Sequence, residues 1–319
     1  MDAANDMINA LTDEQRMAVM KPFDAKERRM WQNTHLYFFR FGIRLDEANE
    51  YVRSLILRLL ETTMSPRGYS KLIQATETNA FLGRLYNGQG VLNRYSYGFT
   101  LFGKPSASEP WSWSFFGHHV CLNFFIYGTH IEISPTFMGA EPNVVDDLPS
   151  TPVELYTGEQ DLGLRLMREL PPRLQKVAHI RDSMDQPNDA PKHTSWSMCG
   201  AFQDNRVVPL QGVCFSEVSS ELRLQLVKTV EQFLLYLPTP ALRRKLDEVE
   251  RFMDETWFCW VGGLGYQDPF YYRIQSPVII CEFEHCASIF LGNTTPGRFH
   301  IHTHVRTPNG GDYGFAVLE

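Results

Sequence analysis

Over roughly the first 85 residues the chain has helical character, with apolar positions recurring three and four residues apart, the spacing of one helix face. Leu11-Thr12-Asp13-Glu14 puts a hydroxyl and two acids where a helix start leaves bare N–H groups, and predicts a helix running toward Met20. Asp46-Glu47-Ala48 predicts a second, with Val52, Leu55, Ile56, Leu59 and Leu60 along one stripe. Ser65-Pro66-Arg67-Gly68 breaks it, and a third runs from about Tyr69 to Arg84. From Tyr95 to Phe137 the pattern changes to short aromatic and β-branched runs (Trp111, Trp113, Phe115 and Phe116, then Val120 to Ile126) cut by Gly, Pro and Ser, which predicts strands and turns. Residues 138–152 read as a polar loop. Helical spacing returns over 158–181, interrupted at Pro171-Pro172. Residues 182–206 read as a long irregular loop, a kind of segment that in a compact domain is often functional. Ser219 to Leu237 and Pro240 to Met253 predict a further helical pair, and from Trp257 onward the strand-rich, aromatic character returns.

Helices, strands, helices, strands is the order of an α+β fold in which helical segments alternate with two antiparallel strand-rich, aromatic-rich regions. The second round echoes the first. Phe99, Gly103, Pro110 and Phe124 return as Phe258, Gly262, Pro269 and Phe283 at a constant offset of 159 residues. The expectation is a single globular unit over 1–319, built as pseudo-duplicated halves 1–152 and 153–319. A cleft between such halves would be a natural site.

Composition narrows the function classes. The 319 residues are 43% hydrophobic and 21% charged, enough to bury a large core without metal or disulfide staples. A net charge of −7 argues against a broad nucleic-acid surface. No apolar run approaches the ~20 residues that cross a bilayer, so neither nucleic acid nor membrane is an expected partner. The opening Met1-Asp2-Ala3-Ala4-Asn5-Asp6 shows no basic-then-apolar leader, and the six cysteines are scattered without a CxxC pair. Buried free thiols in a cytoplasmic protein are the expectation.

The chemistry concentrates in histidines. Gly117-His118-His119 is one cluster and His300-Ile301-His302-Thr303-His304 the other. On a strand, His300, His302 and His304 share a face, and three adjacent imidazoles are costly to bury as ordinary core groups. They are good ligands for zinc and similar ions. Neighbours two apart can share one ion, whereas the outer pair lies roughly 13 Å apart along an extended strand, so two of the three are expected to act together. His118 or His119 is the expected third ligand. Glu282 and Glu284 share a face of the preceding strand-like segment, and either is a candidate carboxylate ligand or general base on metal-bound water. Arg273 is a candidate anchor for an anionic or carbonyl group, with a structural ion pair as its competing role. Asn123, polar inside an apolar run, needs partners and is a candidate to orient a histidine or a substrate. Arg306 follows the histidines closely, and Asp312 is a candidate partner for a metal-bound imidazole or a turn residue.

Trp111-to-Asn123 (WSWSFFGHHVCLN), Pro135-to-Pro142 (PTFMGAEP), Tyr271-to-Pro277 (YYRIQSP) and His300-to-Gly314 (HIHTHVRTPNGGDYG) together resemble the uncharacterised DUF3500 family, over most of the chain. The resemblance implies that His118, His119, Asn123, Arg273, His300, His302, Arg306 and Asp312 belong to the family pattern. His304 departs from it, and Thr307 stands where the family often has Asp. The resemblance supplies no reaction; its fungal members suggest a tailoring step in small-molecule biosynthesis. The leading expectation is a metal-dependent enzyme on a small organic substrate, with zinc first among divalent ions, hydrolysis first and a lyase or isomerase reaction next. A metal-free cyclase or isomerase using histidine pairs as acid and base, and a non-catalytic small-molecule binding protein, are the alternatives.

Overall fold

The computed structural model describes residues 1–31, 41–147, 153–185, 195–201, 206–288 and 290–318. Parts of the two expected loops, 148–152 with 186–194 and 202–205, lie outside them. The chain falls into two compact units. One comprises Met1–Met138, Leu235–Ala241 and Gly311–Glu319, and the other Gly139–Leu234 and Leu242–Gly310.

The first unit opens with α1 (Asp2–Ala10), inside the stretch of helical character, and α2 (Asp13–Val19). Thr12 starts α2 as expected: its hydroxyl accepts the Gln15 N–H while the Gln15 side chain returns to the Thr12 N–H. After β1 (Met20–Lys21) and β2 (Ile43–Arg44), α3 (Glu50–Thr63) begins behind Asn49, later than Asp46. The Asn49 side chain accepts the Val52 N–H, whereas Asp46 is bound by the Arg44 guanidinium at 2.8 Å. In α4 (Pro66–Tyr86) the supposed breaker is the start signal: Ser65 caps Gly68, and Pro66 sits in the first turn, where a missing N–H costs nothing.

β3 (Tyr97–Phe102), β4 (Trp111–Gly117), β5 (Val120–Tyr127), β6 (His130–Glu132) and β7 (Thr136–Ala140) follow. The strand order is β1-β3-β4-β5-β7, with β2 on the β3 edge and β6 on β5. Among these described pairings β1 is parallel to β3 and the rest are antiparallel. β3 and β4 are buried along their whole length, so their apolar runs show no in-out alternation. Trp113 stacks on Phe124 at 4.3 Å between ring centres.

The second unit begins with the paired β8 (Val144–Val145) and β9 (Val153–Glu154), so the segment read as a polar loop is partly strand. Then come α5 (Thr157–Glu169), α6 (Pro172–Ala178), β10 (His179–Arg181), β11 (Val213–Cys214), α7 (Ser220–Phe233), α8 (Thr239–Arg251), β12 (Trp257–Gly262), β13 (Phe270–Gln275), β14 (Ile280–Cys286) and β15 (Gly297–Arg306). The order is β10-β12-β13-β14-β15, with β11 on β12, and among these described pairings the short edge strand β10 is parallel and the rest antiparallel. A short α9 (Phe315–Leu318) ends the described chain, in the first unit.

From α1 to β5 and from α5 to β14, leaving out β6 to β9, the two units run through the same order: two helices, a parallel edge strand, a short antiparallel strand, two helices and a three-stranded meander. The tight turns before β2 and β11 repeat as well. Gly42 (φ +76°) and Gly212 (φ +87°) each lie so close to the neighbouring strand that a Cβ would stand 2.2 Å from the Phe99 carbonyl oxygen in one case and 2.1 Å from that of Phe258 in the other.

In the second unit the two sheet faces differ. Phe258, Trp260, Tyr272 and Phe283 line one, and the Tyr272 hydroxyl donates to the Glu159 carbonyl of α5 at 2.7 Å. At Gly163 of α5 a Cβ would meet the Tyr272 ring at 2.2 Å. Gly163→Ala is therefore expected to destabilise by about 1–3 kcal/mol through overpacking, against its gain in helix propensity. A urea midpoint that rises in this variant would contradict the packing. All six cysteines are free thiols, and five are buried. Among the described residues no helix is long and apolar enough to cross a membrane.

Candidate metal centre

The opposite face of the second-unit sheet is polar. Antiparallel register sets Tyr271 beside Glu284 and Glu284 beside His302; one step along, Arg273 lies beside Glu282 and Glu282 beside His304. Directly paired residues share a face, so the alternation read from the sequence places these carboxylates and imidazoles together.

At the start of this row His300 and His302 meet. Their Nε2 atoms lie 3.0 Å apart, with the rings nearly perpendicular at 86°. His300 Nδ1 stands 2.9 Å from the Ala287 carbonyl oxygen. A carbonyl only accepts, so Nδ1 carries the proton and the Nε2 lone pair of the neutral ring faces His302. Burial lowers the His300 pKa and so favours that neutral form, against the pull of Glu141 and the Ala287 bond. Glu141 Oε2 lies 3.8 Å from His300 Nε2. The other Glu141 oxygen accepts from the Ser288 hydroxyl and from the Leu291 N–H at 3.3 Å. Glu141 and His300 are 2% and 5% exposed, and His302 is half-buried. Two nitrogens on a tetrahedral zinc at ordinary bond lengths sit about 3.3 Å apart, so this pair needs to open by only a few tenths of an ångström. A ring whose far nitrogen donates to a backbone carbonyl is the usual arrangement of a metal-bound histidine.

His118 and His119 belong to the first unit. They form the turn between β4 and β5 rather than lying on a strand, with His119 in the left-handed region (φ 59°). Tight turning brings their rings to 3.9 Å between centres, so they do not point to opposite faces as strand neighbours would. His118 Nδ1 pairs with Asn79 Oδ1 at 2.9 Å. Asn123 ties strands together: it accepts from the Ser114 hydroxyl at 2.6 Å and donates to the Pro135 carbonyl at 2.8 Å. Asp312 is buried in the short helical turn Asp312–Gly314.

Residues 1–315 match the sequence model of a family described as "Protein of unknown function (DUF3500)". The chain belongs to the DUF3500 family. No curated protein and no solved structure matches it.

The remaining sequence-predicted residues of the DUF3500 chain bond to two loop stretches lying on the sheet. Glu284 accepts from the Ser195 hydroxyl, the Trp196 N–H at 2.7 Å, and the Ser197 N–H and hydroxyl at 3.2 and 2.9 Å. Glu282 accepts the Met198 and Cys199 N–H groups at 2.8 and 2.9 Å and the Tyr271 hydroxyl at 2.6 Å. Arg306 donates to the Cys199 carbonyl at 3.2 Å. Arg273 donates to the Pro209 carbonyl and the Gln211 side chain, both at 2.9 Å. Together they hold the described stretches 195–199 and 208–211 against the polar face. Burial raises the Glu284 carboxyl even though its hydrogen bonds pull it down. His304 is buried, and burial with the Arg306 charge lowers it to about 3.

Sequence reasoning missed Glu141. It lies just after β7, in the stretch read as loop, and no periodicity marks it. The available signal was its place inside PTFMGAEP, one of the segments carrying the family resemblance.

Proposed function

We propose that this DUF3500 protein is a metal-dependent enzyme acting on a small organic molecule, with a divalent ion, zinc first, held by His300, His302 and Glu141. The facing Nε2 atoms, with the His300 tautomer set by the Ala287 carbonyl, carry this reading. The buried carboxylate supplies the negative charge that a divalent cation requires. Such an ion would polarise a carbonyl or acidify a bound water, which favours hydrolysis first and a lyase or isomerase reaction next. In this reading the Ser288 hydroxyl and the Leu291 N–H orient the Glu141 carboxylate. Glu284, paired with His302 in register and raised by burial, is the proton-transfer candidate of the same row.

The test uses the metal alone. Elemental analysis of untagged protein should give close to one divalent ion per chain. Calorimetric titration of stripped protein with zinc should show one strong site that His300→Ala, His302→Ala and Glu141→Gln each remove. At a free zinc concentration a hundredfold above Kd, the wild-type chain should gain about 2.7 kcal/mol of stability. The same titration of His118→Ala and His119→Ala tests the expectation that the Gly-His-His turn adds a ligand. Well under one equivalent of metal, with no thermal shift on adding zinc, would refute the proposal.

One observation favours the metal-free alternative: the His300–His302 hydrogen bond is complete without an ion. Under that reading zinc leaves the unfolding midpoint unchanged, and His302→Ala alters the ring titration of His300 in proton NMR.

A further inference from the structure

Arg28, in the short 3-10 turn Lys26–Arg29 of the first unit, is 4% exposed. Its guanidinium carbon lies 3.9 Å from the centre of the Phe23 ring, 5.3 Å from that of Phe315 and 5.8 Å from that of Phe125. Nε donates to Ser112 Oγ at 3.0 Å, and one terminal nitrogen donates to the Tyr313 carbonyl. Both partners are neutral, and among the described residues no carboxylate pairs with this guanidinium. Burial lowers its pKa to about 10, which still leaves it charged at neutral pH. A buried cation without a counter-charge is costly, and folded chains normally pair it.

A small cavity adjoins this charge, with Ser112, Ser114, Asn123, Phe125 and Tyr313 in its wall. It has room for one occupant of about the size of a water molecule. The hydrogen-bond inventory of its polar wall is one-sided. Ser114 gives its proton to Asn123 Oδ1, and the Asn123 amide gives one to the Pro135 carbonyl. Ser112 accepts from Arg28 Nε, which leaves its own hydroxyl proton to give. The second terminal nitrogen of Arg28 also has its protons to give. The remaining donor protons of Arg28 and Ser112 lie beside a positive charge that no described carboxylate pairs, and the edge of an aromatic ring, such as that of Phe125, is itself weakly positive.

We propose that the first unit binds one monatomic anion of chloride size in the cavity beside Arg28 and Ser112. Arg28 itself joins three stretches distant in sequence, the turn at 26–29, β4 through Ser112 and the C-terminal turn through the Tyr313 carbonyl, and the ion sits on the donors that remain. It supplies the charge that no described carboxylate brings to Arg28.

The full-length protein should be unfolded thermally at constant ionic strength, with chloride or bromide replacing a bulky sulfonate. The unfolding midpoint should rise saturably, as for one site, with both halides. A crystal grown in bromide should show one anomalous peak beside the terminal nitrogens of Arg28. Ser112→Ala should weaken halide affinity about tenfold, as loss of a hydrogen bond to a charged group does. Arg28→Gln should abolish it, and the bromide peak keeps the proposal testable if that variant does not fold. A midpoint that responds equally to every anion, or a bromide peak elsewhere, would overturn the proposal. So would formate or acetate displacing halide more tightly than halide binds, since the site would then be one for organic carboxylates.

Discussion

Lowering the pH from 7.5 to 4.5 is expected to remove several kcal/mol from the stability of the second unit, with two buried histidines responsible. His285 is fully buried, and its Nδ1 accepts the Phe270 N–H at 3.0 Å, so the ring must be neutral. Its Nε2 gives the remaining proton to Gln160 Oε1 at 3.0 Å. A second ring proton would confront a backbone N–H. Burial, with help from the Arg298 charge, lowers its pKa well below the usual histidine range. Burial and then Arg306 lower His304 to about 3. Both folded values lie below that of an unfolded histidine, so the unfolded chain takes up protons first as the pH falls. The stabilisation is complete above about pH 6.5 and declines by roughly 1.4 kcal/mol per pH unit for each group. Over two pH units His304 alone gives about 3 kcal/mol, and His285 adds to the loss in the same direction. Glu284 works in the opposite direction, because its raised carboxyl is protonated in the folded state first and offsets part of the loss. Urea unfolding followed by hydrogen exchange in β13 and β14 should show the decline, and His285→Gln should remove one group's share of the slope. A midpoint that stays flat between pH 7 and 5 would show that these rings are protonated without cost.

Much of this arrangement was written locally. Thr12 with Gln15 three residues on, and the stripe from Val52 to Leu60, use only spacing that a helix imposes. The His-x-His-x-His run fixed which imidazoles share a face, because strand alternation has a period of two. Phe99 and its echo Phe258 lie in β3 and β12, which occupy the same step in the element order of the two units. What was illegible depends on tertiary placement. Strands of two or three residues such as β1 and β10 carry no periodicity, and their parallel pairing is set by where helices α2 and α6 deliver the chain. Glu141 reached the imidazoles from a segment without pattern. Glu282 and Glu284 read alike as bases or as acceptors for backbone N–H groups, since a carboxylate on a strand looks the same in both roles; only the position of residues 195–199 distinguishes them.

Glu282→Ala is expected to cause the largest single-residue loss, about 3–5 kcal/mol. The carboxylate is fully buried and receives three donors, the N–H groups of Met198 and Cys199 and the Tyr271 hydroxyl. Each donor left unpaired in the interior costs about 1–3 kcal/mol. The loss has a ceiling, because the 195–199 segment can leave the sheet and hydrate its two N–H groups; the total then equals the docking free energy of the segment plus the stranded Tyr271 hydroxyl. The two outcomes differ in hydrogen exchange. If the segment stays docked, the urea midpoint falls and protection declines across β13 and β14 together. If it detaches, residues 195–199 lose about a hundredfold or more in protection, the equivalent of roughly 3 kcal/mol, while the strands keep theirs. Glu282→Gln separates charge from shape: it preserves one acceptor oxygen but turns an amide donor toward a backbone N–H, so it should restore little of the loss. Because Glu284 is paired with His302 in register and holds the same segment, detachment should also weaken zinc binding at His300 and His302, though by less than removing either ligand. Protection at 195–199 that is unchanged in Glu282→Ala would show that the acidic row does not hold this segment.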